Sequence, residues 1–237
     1  MRRLFTMTAV LALAAACSPG EEQNKTAETK TEAAAPAAAI VPVKTEAPAG
    51  VYKLDKTHAS LIFRVNHIGF SNYTANFSSL DAELQFDPAN PEKSSVTATI
   101  DPRSLVLNAP PAGFLDELLN PKWLDAAGHP QMTFRSTKVE LTGANTARIT
   151  GDFTMKGVTL PVTLEATFNG GYAGHAYEPQ ARIGFSARGT LARASFGVKE
   201  GVPPPGSTMG VSDNVDFVIE AEFSGPPLAN APAPLPN

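Results

Sequence analysis

The chain has 237 residues, 43% of them hydrophobic and 18% charged, which supplies a sizeable core and excludes a wholly disordered protein. Its formal net charge is -4 and it carries no basic cluster, so nucleic-acid binding, which needs concentrated Lys and Arg, is set aside. A single cysteine excludes an intrachain disulfide, and 21 prolines with 18 glycines suit many turns between short strands.

The first segment, residues 1–17, opens with Met1-Arg2-Arg3, continues as an apolar run from Leu4, and ends in Ala14-Ala15-Ala16 before Cys17. A positive start, a short apolar run and small residues at a cut site describe an export signal. The run is shorter than the roughly 20 residues a spanning helix needs. The sole cysteine directly behind Leu13-Ala14-Ala15-Ala16 resembles a bacterial lipobox, with Ala14 where Leu is usual; Cys17 would then be the lipidated first residue of the mature protein. The alternative is an ordinary cleaved signal. Ser18 in place of Asp resembles the signals that sort lipoproteins to the outer membrane.

Residues 18–49 are rich in Glu, Lys, Thr, Ala and Pro without aromatics. Such a stretch cannot bury enough apolar surface to fold and is expected to be a disordered tether. The Pro- and Ala-dense residues 225–237 are expected to be a disordered tail. Between them, residues 50–224 form one domain of ordinary size.

This domain is patterned as strands. Leu61, Phe63 and Val65 are apolar at period two, His67 continues that parity, and Gly69 lets the chain turn before Phe70, Tyr73 and Phe77. Leu84 and Phe86 lie on a second alternating run, Val96 to Ile100 make a third, and Met132 to Leu141 a fourth. Phe153, Leu164, Phe185 with Ala187, and Phe217 with Ile219 mark four more. About eight antiparallel strands result, each with one polar and one apolar face. Closure into a barrel removes the edges an open sheet would leave, and eight strands enclose either a filled interior or room for one small ligand. Small residues on the inward parity (Ala82, Ala98, Gly151, Ala166, Ala187, Gly189, Ala221) tilt the balance towards a cavity. His67 either anchors a polar headgroup there or bonds to a backbone carbonyl.

One stretch breaks the alternation. Phe114 and Leu118, with Leu115 and Leu119, are spaced for a short amphipathic helix that Asn120-Pro121 stops. A helix inserted in a barrel caps an end, so Phe114, Leu118 and Trp123 are the residues expected at a mouth.

The sequence shows little that would carry catalysis. His58 and His67 have opposite parity, no His-x-x-x-His or Cys-x-x-Cys pair exists, and no metal or cofactor is expected. Gly184-Phe-Ser186-Ala-Arg188 is the nearest approach to a nucleophile elbow, and it fails at Arg188 and lies within a strand. No catalytic residues are assigned.

The order Tyr52-x-Leu54-Asp55-x-x-His58-Ala-Ser60-x-x-Phe63-x-Val65-x-His67-x-Gly69-Phe70-Ser71 resembles the opening of the YceI-like family. The resemblance continues through Phe86-Asp-Pro88, Trp123-Leu-Asp125, His129 to Thr137, Gly151 to Leu164, Arg182 to Ala187, Arg193-Ala-Ser-Phe-Gly197 and Val211 to Val215. It implies an all-β, extended eight-stranded antiparallel lipocalin-like barrel of the periplasm whose apolar tunnel holds a long isoprenoid chain without catalysis. The tunnel candidates are Phe63, Val65, His67, Leu84, Phe86, Phe153, Leu164, Phe185, Ala187, Phe217 and Ile219. Phe114 to Asn120 lacks the Arg-Asp-x-His-Leu run common in relatives, so a quinone or other neutral isoprenoid stands beside a polyprenyl phosphate as ligand.

The leading expectation is therefore carriage or sequestration of an isoprenoid lipid or quinone by a protein lipid-anchored to the outer membrane, with a soluble periplasmic form as the alternative. A homodimer is a further partner option. A packed-core envelope interaction module without lipid is the second reading, and a hydrolase the third.

Overall fold

The computed structural model describes residues 39–228. The signal, Cys17 and most of the expected tether and tail lie outside them. The elements in chain order are β1 (Gly50–His67), β2 (Ser71–Phe77), β3 (Leu80–Phe86), β4 (Ser95–Ile100), β5 (Leu105–Val106), α1 (Phe114–Leu119), β6 (Met132–Leu141), β7 (Thr146–Met155), β8 (Val158–Tyr172), β9 (Gln180–Ala192) and β10 (Val211–Pro227). The sheet runs β10-β9-β8-β7-β6-β4-β3-β1-β2-β5, and a further pairing of β10 with β1 closes it. β2 and β3 flank successive halves of β1 as one broken stave, and β4 with β5 makes another, so the strands form a closed eight-staved antiparallel barrel.

Closure works because the apolar parities meet in register. On β1, Leu61, Phe63 and Val65 lie opposite Ile219, Phe217 and Val215 of β10. Phe134 faces Phe153 across β6 and β7, and Ala166 faces Ala187 across β8 and β9. A shift of one residue in any strand would turn its whole apolar set to water. The β7–β8 hairpin turns on Lys156 and Gly157, both at positive φ (53° and 75°), as a tight two-residue connection requires.

Three sequence expectations are corrected. Ser71 to Phe77, not counted among the expected strands, is a strand paired residue for residue with β1; its inner set is Tyr73, Ala75 and Phe77. The last part of the expected tether is folded onto the barrel: Val43 donates its amide to Ala144 O (2.7 Å), the Thr45 hydroxyl donates to Gly171 O (3.3 Å), and Ala47 is buried. The expected tail begins too early, since β10 continues to Pro227 and Leu228 donates to Pro179 O.

The two ends of the barrel differ. At the end where β1 starts, Tyr52, Ala181 and Ile183 are fully or almost fully buried, and Phe86, Phe168, Phe185 and Phe223 pack on one another, stacked, tilted or edge-to-face, at 5.3–6.4 Å between ring centres. Tyr52 donates its hydroxyl to Pro48 O at 2.8 Å and lies against Gly225, where any side chain would strike its ring. The other end holds α1, Trp123 and the tip of the β1–β2 hairpin. Gly113 opens α1 in the left-handed region (φ 77°) and Asn120 closes it in an extended conformation before Pro121.

Candidate functional site: an apolar cavity with a polar arc

Inside the barrel lies a cavity of about 630 Å³. Its wall is apolar except for His67, Ser71, Tyr73, Arg193 and the Trp123 indole. Ten of the eleven tunnel candidates line it, as do Phe114, Leu118 and Trp123. Phe86 does not. It lines a separate recess of about 90 Å³ at the packed end, where it stacks on Phe168 at 5.8 Å.

The space has a different origin from the one composition suggests. Gly151 and Gly189 were expected to leave room, but each is covered by a ring. A side chain at Gly189 would meet Phe217 Cζ at 2.5 Å, and one at Gly151 would strike Phe134. Phe217 is the direct cross-strand partner of Gly189. With no Cβ beneath them these rings can lie close against the wall. Ala82, Ala98, Ala166, Ala187 and Ala221 do line the cavity.

At the α1 end the helix and the segment after it close over the space. Trp123 is fixed by its indole N–H, which donates to Glu117 Oε1 at 3.3 Å, and by the Arg193 guanidinium 5.5 Å from its ring centre. Pro111 and Phe114 are exposed where they border the cavity, as are His67 and Ser71, so water reaches the space at this end.

Arg193 is the residue that sequence reasoning missed. It begins the 3₁₀ turn Arg193–Phe196 after β9 and is 4% exposed. Its Nε donates to Ser212 O (2.9 Å), Nη1 to Val198 O (3.0 Å) and Glu200 O (2.8 Å), and Nη2 to Val211 O (2.8 Å). Burial holds its pKa below the usual guanidinium value, and the Asp213 carboxylate partly offsets this. Asp213 is itself engaged by the Ala194 amide at 2.7 Å.

A second polar cluster lies on the outer wall. β1 carries three extra residues relative to β10, since Leu54 pairs with Phe223 but Ala59 with Ala221. The resulting bulge swings Asp55 and His58 outward. Arg182 Nη1 donates to Asp55 Oδ2 and Nε to Glu178 Oε1, each at 2.5 Å; the Tyr172 hydroxyl donates to Glu178 Oε2 at 2.6 Å. His58 Nδ1 is 3.0 Å from Asp55 Oδ2. The Thr57 hydroxyl above all, then Arg182 and His58, hold the Asp55 carboxyl well below the ordinary range. Asp55 in turn raises the His58 pKa. Asp55, His58 and Glu222 are close enough to share a cation, but Arg182 already holds Asp55 and stands 3.8 Å from Glu222. The arrangement is an ion-pair clasp between β1 and β9. Ser186, the residue considered as a nucleophile, donates to Glu220 on the same outer wall.

Residues 52–223 match the YceI-like domain. The chain belongs to the YceI-like family. A UPF0312 protein of Pseudomonas putida is 36% identical over 181 residues, covering 75% of this chain and 88% of the relative. One from Vibrio cholerae is 33% identical, covering 81% and 97%. Among solved structures, Burkholderia cenocepacia BcnA is 25% identical with a TM-score of 0.60, covering 71% of this chain and 98% of BcnA. A polyisoprenoid-binding domain from Saccharophagus degradans, implicated in plant cell wall breakdown, shares the fold at 14% identity and a TM-score of 0.54, covering 74% of this chain and 98% of that domain.

Proposed function

We propose that this YceI-like protein binds a long-chain isoprenoid lipid, of polyprenyl or quinone type, inside its barrel and carries or sequesters it in the bacterial envelope without chemical change. The observation that carries this reading is the cavity. Its 630 Å³ is roughly four times the apolar cavity of about 150 Å³ that accommodates benzene, and falls within the usual range for ligand sites. Space of this size gives up packing contacts that a filled core would make. A module with a packed core would fill it. The apolar wall suits a hydrocarbon chain, and the wet α1 end suits a headgroup. The polyisoprenoid-binding domain of the same fold from Saccharophagus degradans points the same way.

The lipobox-like Leu13 to Cys17 stretch supports a lipid anchor in the outer membrane on the periplasmic side, with a soluble periplasmic form as the alternative. More than one acyl chain is needed for firm anchoring, so Cys17→Ser is expected to release the protein or leave its precursor uncleaved. Retention on the membrane by that variant once its signal is removed would overturn the anchor. The binding reading is tested by organic extraction of the protein from its own bacterium and mass spectrometry of the extract. One isoprenoid in near-stoichiometric amount is expected; absence of lipid together with no uptake of added isoprenoid by the extracted protein would overturn it.

A further inference from the structure

The cavity wall carries its polar groups at one place. His67 pairs with Ser71 on one side and Val211 on the other, and the carbonyl of Val211 receives Arg193 Nη2. Ser71, His67, Val211 and Arg193 therefore follow one another round the α1 end as an arc, and all four line the cavity. Trp123, also on the wall, lies over the Arg193 guanidinium.

Within this arc the cation is unusual. A guanidinium has five N–H donors, and Arg193 commits four of them to backbone carbonyls. Among the described residues it forms no ion pair. A buried charge is ordinarily paired, because carbonyl dipoles alone do not replace water around a full charge. Four carbonyls fix the guanidinium plane rigidly, and the remaining Nη2–H is the donor left for a ligand on this wall. The Asp213 carboxylate acts on the guanidinium only from beyond ion-pair distance and offsets its burial in part, so a group that completes the neutralisation brings an anionic oxygen.

We infer that Arg193, with His67 and Ser71 beside it, is the headgroup seat of the cavity and selects amphiphiles ending in an anionic oxygen, such as a carboxylate or phosphate, over neutral alcohols and amines of the same chain. This rests on the lipid-binding reading above and specifies which end of the ligand enters where. The apolar chain extends away from Arg193 towards Phe185 and Phe223, and the head remains beside Trp123.

The test uses the unaltered protein after organic extraction and three probes with one isoprenoid chain: geranylgeranoic acid, geranylgeraniol and geranylgeranylamine, at a pH where the acid is ionised. The acid is expected to bind about tenfold or more tightly than the alcohol, and the amine more weakly still. Equal affinities for acid and alcohol, or preference for the alcohol or amine, would overturn the headgroup seat while leaving lipid binding intact. Failure of all three to bind would overturn the lipid-binding reading itself, and the headgroup seat with it. Orientation is read separately from Trp123, the sole tryptophan. Palmitic acid brominated beside its carboxylate should quench Trp123 emission strongly, and the acid brominated at its far methyl end should not; the reverse pattern would also overturn the assignment. Arg193→Gln, provided it melts as a folded protein, should bring the acid-to-alcohol ratio close to one, and an unchanged ratio in a folded variant would contradict the role of Arg193.

Discussion

The two ends of this barrel are made from the same alternating strands and differ in what fills them. At the β1 start, large rings interleave until Tyr52 and Ala181 have no exposed surface. Towards α1, Ala98 and Ala187 face open space, and two glycines let Phe217 and Phe134 lie back against the wall. The packed end leaves a recess of about 90 Å³, against about 630 Å³ in the main cavity. The open end forgoes that packing and keeps its polar groups within reach of a ligand. One sheet thus carries a rigid base and a container, and the β1 bulge with its outward clasp ties the base together from outside.

The largest effects are expected where packing is densest. Tyr52→Ala should cost about 3–5 kcal/mol by chemical denaturation, as removal of a buried ring does, whereas Val65→Ala on the cavity wall of the lipid-free protein should cost about 1 kcal/mol or less. Equal losses at the two sites would dissolve the distinction between the ends. Ala187→Trp sharpens it from the other direction. Ala187 lines the cavity, so the new ring occupies ligand space: stability of the lipid-free protein should change by less than about 1 kcal/mol while retained lipid, read by mass spectrometry, falls several-fold. At Ala181, which is wholly buried, the same insertion overpacks and should cost at least about 1–3 kcal/mol.

Most of the fold was legible because the apolar parity of residues such as Leu61, Phe63 and Val65 is a direct record of which face is wet. What escaped depends on register or on chain-distant partners. That Gly189 is covered by Phe217 follows only once β9 and β10 are aligned residue for residue. Arg193 reads as an ordinary surface charge until the carbonyls of Val198, Glu200, Val211 and Ser212 converge on it; its one signal was its place in the Arg193-Ala-Ser-Phe-Gly197 stretch. Ala47 gave no signal, since an alanine among prolines and threonines looks the same in a tether as against a barrel.

Smaller effects belong to the outer clasp. The Asp55 carboxyl is held below its ordinary range by Thr57, Arg182 and His58, and Glu178 below its own by Tyr172 and Arg182. Groups with depressed folded pKa values contribute stability that is complete above the unfolded value near 4 and is lost as pH falls through the folded one. Melting temperature should therefore drop on the acid side, and Asp55→Asn should flatten that limb at a cost of about 1–3 kcal/mol near neutrality. His58 has the opposite sign. Its raised pKa adds stability that is complete below about 6.5 and is lost as pH rises through the folded value, so His58→Gln should remove a shallow decline on the alkaline side of neutrality. The smallest effect is expected at the hairpin tip, where Phe70 is 85% exposed and Phe70→Ser should leave stability within about 0.5 kcal/mol of the parent.

The central claim, that the open end is a container for a hydrocarbon chain, is tested most directly by titrating the lipid-free protein with geraniol, farnesol and geranylgeraniol. Each added isoprene unit brings five carbons, whose burial contributes up to about 4 kcal/mol before the loss from ordering the chain. Affinity is expected to rise at least about tenfold per unit and then to level off as the 630 Å³ fills. Affinities that do not change with chain length, or no binding of any of the three, would contradict the account.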